Sequence, residues 1–335
     1  MHLAFTHQPI DSKTSYRVTS IATWKNILFV GTNNGHVYPF RYSNSKDSFI
    51  VLEGRSSFPT KRAIAKMAVI AEWQVLLALV GNSLYFCNVT ELGEKIEVPG
   101  SKGCSLFTWA EHEGKLFVTI KKKICVYEWK GHALGFELQV TNIHNLPDQP
   151  KIIQWCGARR LCIGFRQEYD ILDMSTGKFT EVLKVKSGTE PVCAAERSAD
   201  GKKATIVLVN GQQGYVFVIN QKTGKIYADT HTGGPVAGGG GRKGGGGGSS
   251  IFTWSDTPTA VEFCGPFLLA SLPKAIEVHN ISNKTPVQQI KLTGMMAVSR
   301  LSRDLSSWSY VVTVAQPTRL TQLQVRCFVK PVLIG

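Results

Sequence analysis

The chain has 335 residues, of which 43% are hydrophobic, and its 38 lysines and arginines against 24 aspartates and glutamates give a formal charge of +14. This apolar content excludes an intrinsically disordered chain, and this length excludes a small scaffold held together by disulfides. An aromatic content of 10% and a total of 32 glycines favour a fold with many strands and turns.

The first residues, MHLAFTHQPIDSK, contain no basic segment followed by an apolar core, so we predict no signal peptide. The longest apolar stretch, residues 67–80, is interrupted by Glu72 and Gln74 and is too short to span a bilayer. We therefore expect a soluble, cytoplasmic protein whose eight cysteines are small buried residues rather than disulfide partners. Glycosylation sequons have no role in that compartment. The chain has three of them, at Asn88, Asn280 and Asn283.

One pattern of three β-strands recurs along the chain. In each copy a strand with small residues or Trp precedes a very apolar strand, and an alternating strand follows after a short turn. The middle strands carry hydrophobic residues at successive positions, which indicates burial on both faces. Seven copies occur, at residues 21–42, 64–89, 105–129, 152–174, 192–220, 260–281 and 296–328.

The spacing of these copies predicts a β-propeller. Their apolar centres follow one another at steps of 49, 39, 45, 44, 62 and 43 residues, and the step of 62 includes a glycine-rich tract. A period of about 40–45 residues with several strands per unit is typical of propeller blades. No segment shows a convincing helical stripe over twelve residues, so a parallel βαβ architecture is not expected. The predicted fold is an all-β, WD-repeat-like propeller of seven blades, in a single domain over residues 1–335. Because the copies are degenerate, six or eight blades are the alternatives.

Closure of such a ring requires a device, because an open ring leaves sheet edges exposed. The segment Leu3 to Ile10 precedes the first copy and has no other strand to pair with. We therefore predict that it forms the outer strand of the last blade, beside residues 321–330.

Residues 233–250 read GGPVAGGGGRKGGGGGSS. A phosphate-binding P-loop requires Gly, Lys and a hydroxyl residue in succession before a helix, whereas Arg242 precedes Lys243 here and Gly244 follows. The composition predicts a flexible insertion loop between the fifth and sixth copies; an engineered linker that replaces a longer loop is the alternative.

No catalytic or metal-binding motif is recognisable in the sequence. It contains no H-E-x-x-H, G-x-S-x-G or C-x-x-C pattern, and no two of its eight histidines have helical i, i+4 spacing. Each histidine is expected to be a surface or turn residue. We predict that the chain is not an enzyme and binds no cofactor or metal.

Positive charge occurs in short clusters, most of them at predicted turns, where they keep a protein soluble or attract acidic partners. The densest cluster lies between the middle and third strands of the third copy. We predict that Lys121, Lys122 and Lys123, with Lys130 as a weaker member, form an electrostatic docking edge; the alternative is a solvated turn. An acidic protein or an anionic membrane would suit this edge. Nucleic acid is not expected, because the basic pairs do not alternate with exposed aromatic residues.

Several blocks of the sequence resemble one family in order along the chain. They are MHLAF, WKNILFVGTNNGHVYPFRY, KGCSLFTW, KKKICVYEWK, QWCGARRLCIGFRQEYDIL and FTWSDTPTAVEFCGPFLLASLPKAIEVHNI. These blocks are similar to the citron-homology (CNH) domain of the family of the vacuolar protein sorting subunit thirty-nine of the HOPS tether. The TGF-β-receptor-associated protein of the CORVET tether is a related cousin.

This resemblance implies a non-catalytic module of a tethering complex that supports fusion of late endosomes with lysosomes or vacuoles. The expected partners are a Rab-type small GTPase of the late endosome or vacuole and the other class C subunits of the tether. The expected location is the cytoplasm, peripheral on the late endosomal, lysosomal or vacuolar membrane. A CORVET-type early-endosome subunit, or a CNH scaffold in small-GTPase signalling, remains an alternative. In the family a long C-terminal α-solenoid follows the propeller; we expect it to be absent from this chain, which stops at VKPVLIG.

Overall fold

The computed structural model describes residues 5–10, 17–43, 48–52, 54–110, 113–131, 135–138, 143–198, 200–229, 251–291, 295–304, 307–314 and 320–325. Two compact units are distinguished by their internal contacts. The first consists of Met1–Val98, Lys274–Val278 and Val287–Gly335, and the second of Pro99–Pro273 and His279–Pro286.

Within these described ranges the chain forms strands and one short 3₁₀ turn, Ala71–Trp73. The strands in chain order are β1 (Phe5–Ile10), β2 (Val18–Trp24), β3 (Ile27–Thr32), β4 (His36–Ser43), β5 (Ser48–Val51), β6 (Ser56–Ser57), β7 (Ile64–Ile70), β8 (Val75–Val80), β9 (Ser83–Asn88), β10 (Ile96–Glu97), β11 (Cys104–Ala110), β12 (Lys115–Ile120), β13 (Lys123–Trp129), β14 (Phe136–Leu138), β15 (Ile143–Asn145), β16 (Ile152–Trp155), β17 (Arg160–Gly164), β18 (Glu168–Asp173), β19 (Phe179–Lys184), β20 (Val192–Arg197), β21 (Lys203–Asn210), β22 (Gln213–Asn220), β23 (Ile226–Ala228), β24 (Ile251–Thr253), β25 (Ala260–Cys264), β26 (Phe267–Ser271), β27 (Ile276–Asn280), β28 (Pro286–Ile290), β29 (Met295–Asp304), β30 (Ser307–Val314) and β31 (Leu320–Val325).

In the part of the chain that the structure describes, these strands form seven sheets of four or five strands, and each sequence copy corresponds to one sheet. Their strand orders are β2-β3-β4-β5 with β6 also on β4, β10-β9-β8-β7, β11-β12-β13-β14 with β15 also on β13, β16-β17-β18-β19, β20-β21-β22-β23 with β24 also on β22, β25-β26-β27-β28, and β1-β31-β30-β29. The predicted all-β propeller class is confirmed.

The N-terminal strand closes the last sheet, as predicted. Strand β1 pairs antiparallel with β31, from Phe5 opposite Val325 to Ile10 opposite Leu320. It is the edge strand of that sheet, so β31 is hydrogen-bonded on both sides by strands from opposite ends of the chain.

The apolar middle strands are buried on both faces, which confirms the prediction from their composition. All six residues of β8 are buried, and β3, β12, β17 and β26 are buried at nearly every position. Alternate residues of a strand face opposite sides, so each such strand contributes to two hydrophobic clusters. Strand β17 illustrates this, because Leu161 and Ile163 pack toward the β11–β15 sheet and Cys162 packs toward the β20–β24 sheet.

The outer strand is divided into two short pieces in three sheets. In the β20–β24 sheet, strand β22 pairs with β23 along residues 217–219 and with β24 along residues 213–215. Between these pieces the N–H of Asp229 donates to the carbonyl of Val216 at 2.9 Å, so the strand edge stays covered. The predicted flexible tract, residues 233–250, lies outside the described residues.

One turn recurs between the third and fourth strands of several sheets. The Oδ1 atom of its first residue accepts the backbone N–H groups two and three positions later, and the fifth residue has a left-handed backbone. The turns begin at Asn88, Asp173, Asn220 and Asn280 and place Leu92, Gly177, Gly224 and Lys284 at the left-handed position. Two of the sequon asparagines are therefore turn-forming residues.

The described cysteines are free thiols, and all but Cys125 are buried, as the sequence predicted. No helix among the described residues is long and apolar enough to cross a membrane.

Candidate functional site

The predicted lysine run forms the hairpin between β12 and β13. Ile120 pairs with Lys123, so Lys121 and Lys122 are the two turn residues, and Lys121 takes a left-handed backbone with φ of 55°. A two-residue hairpin turn projects its side chains into solvent, and all three lysines are exposed. The structure therefore places Lys121, Lys122 and Lys123 together on one exposed turn.

Only the middle lysine of this hairpin is neutralised by a neighbour. The Nζ atom of Lys122 lies 3.2 Å from Oδ1 of Asp148 and donates to the carbonyl of Pro147 at 3.3 Å. The Gln149 N–H and the Lys122 ammonium hold the pKa of the Asp148 carboxyl below its usual value. Within the described residues, Lys121 and Lys123 have no acidic partner. Two uncompensated positive charges thus remain on this turn.

The structure does not bring Lys130 to the hairpin. Lys123 begins the seven-residue strand β13 and Lys130 follows its end, which separates the two residues by about 20 Å. The Nζ atom of Lys130 lies 3.2 Å from Oε2 of Glu137, on the neighbouring strand piece. Lys130 is close to the lysine run in the sequence, but the extended strand β13 lies between them and places them at its two ends.

Buried polar groups elsewhere were missed by the sequence analysis. Asp170 is 6% exposed and its Oδ1 atom has no hydrogen-bond partner. Burial, together with the charges of Glu168 and Glu181, raises the pKa of Asp170 to about 6. The sequence does show a polar residue, Asp170, inside the apolar strand EYDILD. Its burial could not be predicted, because the alternation of residues along a strand does not say whether both faces of the strand are covered.

The prediction that every histidine lies at a surface or turn is wrong for His279. This residue is fully buried, and its ring packs edge-on against Phe252 and Trp254 at centroid distances of 5.9 and 6.2 Å. It fills core space between aromatic rings. Among the described residues, no group of three or more histidines, cysteines or carboxylates is arranged to hold a metal ion.

These features define an all-β propeller with exposed hairpins on rigid sheets, an arrangement common to interaction modules. The chain belongs to the CNH domain family, whose model matches residues 24–300. The AfRom2 CNH domain has a similar fold, with a TM-score of 0.64 at 14% identity, and the match covers 96% of this chain and all of that one.

Curated relatives are similar over most of the chain. The Vam6/Vps39-like protein of Homo sapiens is 27% identical over 313 residues, which cover 87% of this chain and 32% of that protein. Vacuolar sorting protein 39 of Arabidopsis thaliana is 25% identical over 281 residues, covering 82% of this chain and 25% of that protein. The chain therefore spans about a third or less of the length of these relatives.

Proposed function

We propose that this chain is the CNH interaction module of a vacuolar or endolysosomal tethering-complex subunit and acts by binding rather than by catalysis. The observation that carries this proposal is the similarity to the Vam6/Vps39-like protein and to vacuolar sorting protein 39 over more than four fifths of the chain. The proposed partners are other class C subunits of a HOPS-type tether and a Rab-type GTPase of the late endosome or vacuole. The proposed location is the cytoplasmic surface of those membranes.

The lysine hairpin is the proposed docking edge for an acidic partner. Lys121 and Lys123 supply charge without an internal acidic partner in the described structure, and Lys122 is fixed against Asp148. Charges at the rim of an interface mainly accelerate association and make it sensitive to salt, while they change the lifetime of the complex little. Lys130 is not part of the proposed docking edge, because the length of β13 separates it from the hairpin.

The function is tested by a pull-down from cell extract with the purified chain as bait. The recovered material is probed for class C tether subunits and for Rab GTPases. The Rab GTPases are tested in both the GDP-loaded and the GTP-loaded form. Recovery of tether subunits supports the proposal. Recovery of signalling GTPases of another class, without tether subunits, would instead assign the chain to a CNH scaffold in signalling.

The docking edge is tested separately with Lys121→Glu/Lys123→Glu, measured by association kinetics across a salt series. The matched control is Lys202→Glu/Lys203→Glu, which reverses two adjacent exposed charges in the β20–β21 hairpin. We expect slower association of the first variant at low salt and an unchanged rate for the control. Equal rates for both variants would show that the lysine run is only a solvated turn.

A further inference from the structure

A cavity of about 370 Å³ lies between the β16–β19 sheet and the turn that joins β22 to β23. Thr180 and Val182 face it from β19, and Ile171, which is paired with Thr180, faces it from β18. Ile226 completes the apolar wall from the neighbouring sheet. The floor of this cavity is therefore largely aliphatic, and its polar character comes from the residues at one end.

An ion pair fixes that end of the cavity. Arg160 and Asp173 are directly opposite each other on β17 and β18, and Nη1 lies 2.7 Å from Oδ2. The two side chains are only 18% and 21% exposed. The backbone of Gly224 packs against the guanidinium, since a Cβ atom there would lie 2.6 Å from Nη2. The guanidinium is thus held in one position while its other N–H groups remain available as donors.

The carboxylate of this pair stays ionised. Partial burial acts to raise the pKa of Asp173, but the Ser175 and Thr176 N–H groups and the charge of Arg160 outweigh it and hold the pKa below its usual value. Arg160 and Asp173 therefore neutralise each other, and the remaining charge of the cavity comes from other residues.

Two lysines at equivalent turn positions supply that charge. Lys178 and Lys225 each follow the left-handed glycine of the recurrent turn, in neighbouring sheets, and both line the cavity. Both are exposed, and within the described residues neither has an acidic partner. The cavity therefore carries two uncompensated positive charges beside a fixed guanidinium.

An unpaired strand edge runs beside these charges. Strand β19 is the outermost strand of its sheet, so the peptide groups on its outer side have no strand partner in the described structure. Such an edge can accept an extended peptide as an additional strand, whose alternate side chains then enter adjoining pockets. A lipid headgroup or a free phosphate ion would make no use of this edge.

We propose that the cavity binds a phosphoserine or phosphothreonine in an extended segment of a partner protein. A phosphorylated side chain carries a charge of about −1.5 to −2 at pH 7, which matches the two uncompensated lysines. Guanidinium and ammonium groups are the usual donors to phosphate oxygens. The phosphate lies between Lys178, Lys225 and Arg160, and the peptide backbone runs along β19. This site does not depend on the proposed tethering function.

The test uses an array of degenerate peptides with a central phosphoserine or phosphothreonine, and the same array with serine, threonine or glutamate at that position. The highest-affinity phosphopeptide is then measured by fluorescence anisotropy against the wild-type chain and Lys178→Ala/Lys225→Ala. We expect binding to the phosphorylated array only, and an affinity loss of at least about tenfold in the variant, since each lost charge-assisted bond is worth about that much. Lys202→Ala/Lys203→Ala removes the same charge elsewhere and should leave the affinity unchanged.

Three outcomes would overturn this assignment. Equal binding of phosphorylated and unphosphorylated peptides would show that phosphate is not recognised. Equal affinity of the two double variants for the phosphopeptide would show that the phosphate binds elsewhere on the protein or is attracted non-specifically. Binding to vesicles that contain phosphoinositides, without binding to any phosphopeptide, would assign the cavity to a membrane headgroup instead. Both lysines are exposed, so the test variant is expected to fold normally, which thermal denaturation checks.

Discussion

The hydroxyl group of Tyr169 meets both backbone groups of Val192, 23 residues later in the chain. It accepts the N–H of Val192 at 2.7 Å, and it lies 2.9 Å from the carbonyl oxygens of Val192 and Val209. The ring is fully buried, so this one hydroxyl connects the start of β18 to β20 and β21 in the adjacent sheet. Burial also raises the pKa of this phenol, which keeps it protonated as a donor.

Removal of this hydroxyl should be costly. Tyr169→Phe removes the hydrogen bonds of this buried hydroxyl to Val192 and Val209, and since each such bond contributes about 0.5–1.5 kcal/mol, the loss is about 1–3 kcal/mol. We expect a loss of that size in the free energy of unfolding, measured by urea denaturation. Tyr215→Phe is the control, because its hydroxyl bonds only to the exposed Gln213 side chain. A loss that is the same for both variants would contradict the role of Tyr169.

Gly214 is expected to tolerate no side chain. A Cβ atom at this position would lie 2.3 Å from Cη2 of the buried Trp254, so Gly214→Ala must displace the indole ring. Overpacking of this kind typically costs about 1–3 kcal/mol. Gly93→Ala is the matched control, because nothing lies within 4 Å of its Cβ position. A melting temperature of Gly214→Ala equal to that of the control would show that Trp254 moves aside freely.

Asp170 should make stability fall as the pH rises. Its pKa of about 6 in the folded protein is above the ordinary value of 3.8, so between about pH 4 and 6 the folded state binds more protons than the unfolded state. Stability is therefore lost across this window, by an amount of the order of 3 kcal/mol. Asp170→Asn should be more stable than wild type above pH 6 and should lack this slope in denaturation curves. Glu190→Gln, at an exposed site, should retain it.

At Lys284, the glycine variant should be more stable than the alanine variant. Its ammonium lies 3.4 Å from Asp229 and 5.3 Å from the ring centre of Phe252, although its backbone is left-handed. Lys284→Ala loses these contacts and keeps the strained φ, at a cost of about 1–2 kcal/mol. Lys284→Gly loses the same contacts but relieves the strain, so it should be the more stable variant. Alanine more stable than glycine at this position would contradict this account.

Deletion of residues 1–10 should expose the edge of β31 and promote aggregation, because an unpaired strand edge recruits other strands. Light scattering and thermal denaturation measure the effect. A synthetic peptide of residues 1–16, added in trans, should restore the monomer. A truncated protein that stays monomeric with the wild-type melting temperature would refute closure by β1.

The repeating units and their buried middle strands could be predicted because each depends on local hydrophobic pattern. The closing strand could be predicted because the segment before the first copy has no other strand to pair with. The lysine hairpin follows from the hydrophobic pattern as well, since a polar run between two apolar strands is a turn. The cavity could not be predicted. Lys178 and Lys225 are 47 positions apart in the sequence, and only the register of two sheets places them together.

Burial of individual polar residues was also beyond the sequence pattern. Cys125 and Tyr127 are two positions apart on β13, where a period-two pattern places them on the same face, yet the ring of Tyr127 is fully buried while Cys125 is partly exposed. A period-two pattern assigns a residue to a face but does not say how much of its side chain is covered there.

Because the outer strand is divided into β23 and β24, foreign sequence can be inserted between these two pieces. The described backbone ends at Asp229 and resumes at Ile251, and the two pieces of the outer strand, β23 and β24, are both paired with β22. The register of each piece is fixed by β22 itself, so the number of residues between the two pieces does not change the pairing of the inner strands. Closure of a longer loop adds only about 0.6 kcal/mol per doubling of its length. A reporter domain or an affinity epitope placed in this interval should therefore leave the fold intact. Insertions in the gene at this interval should be tolerated for the same reason.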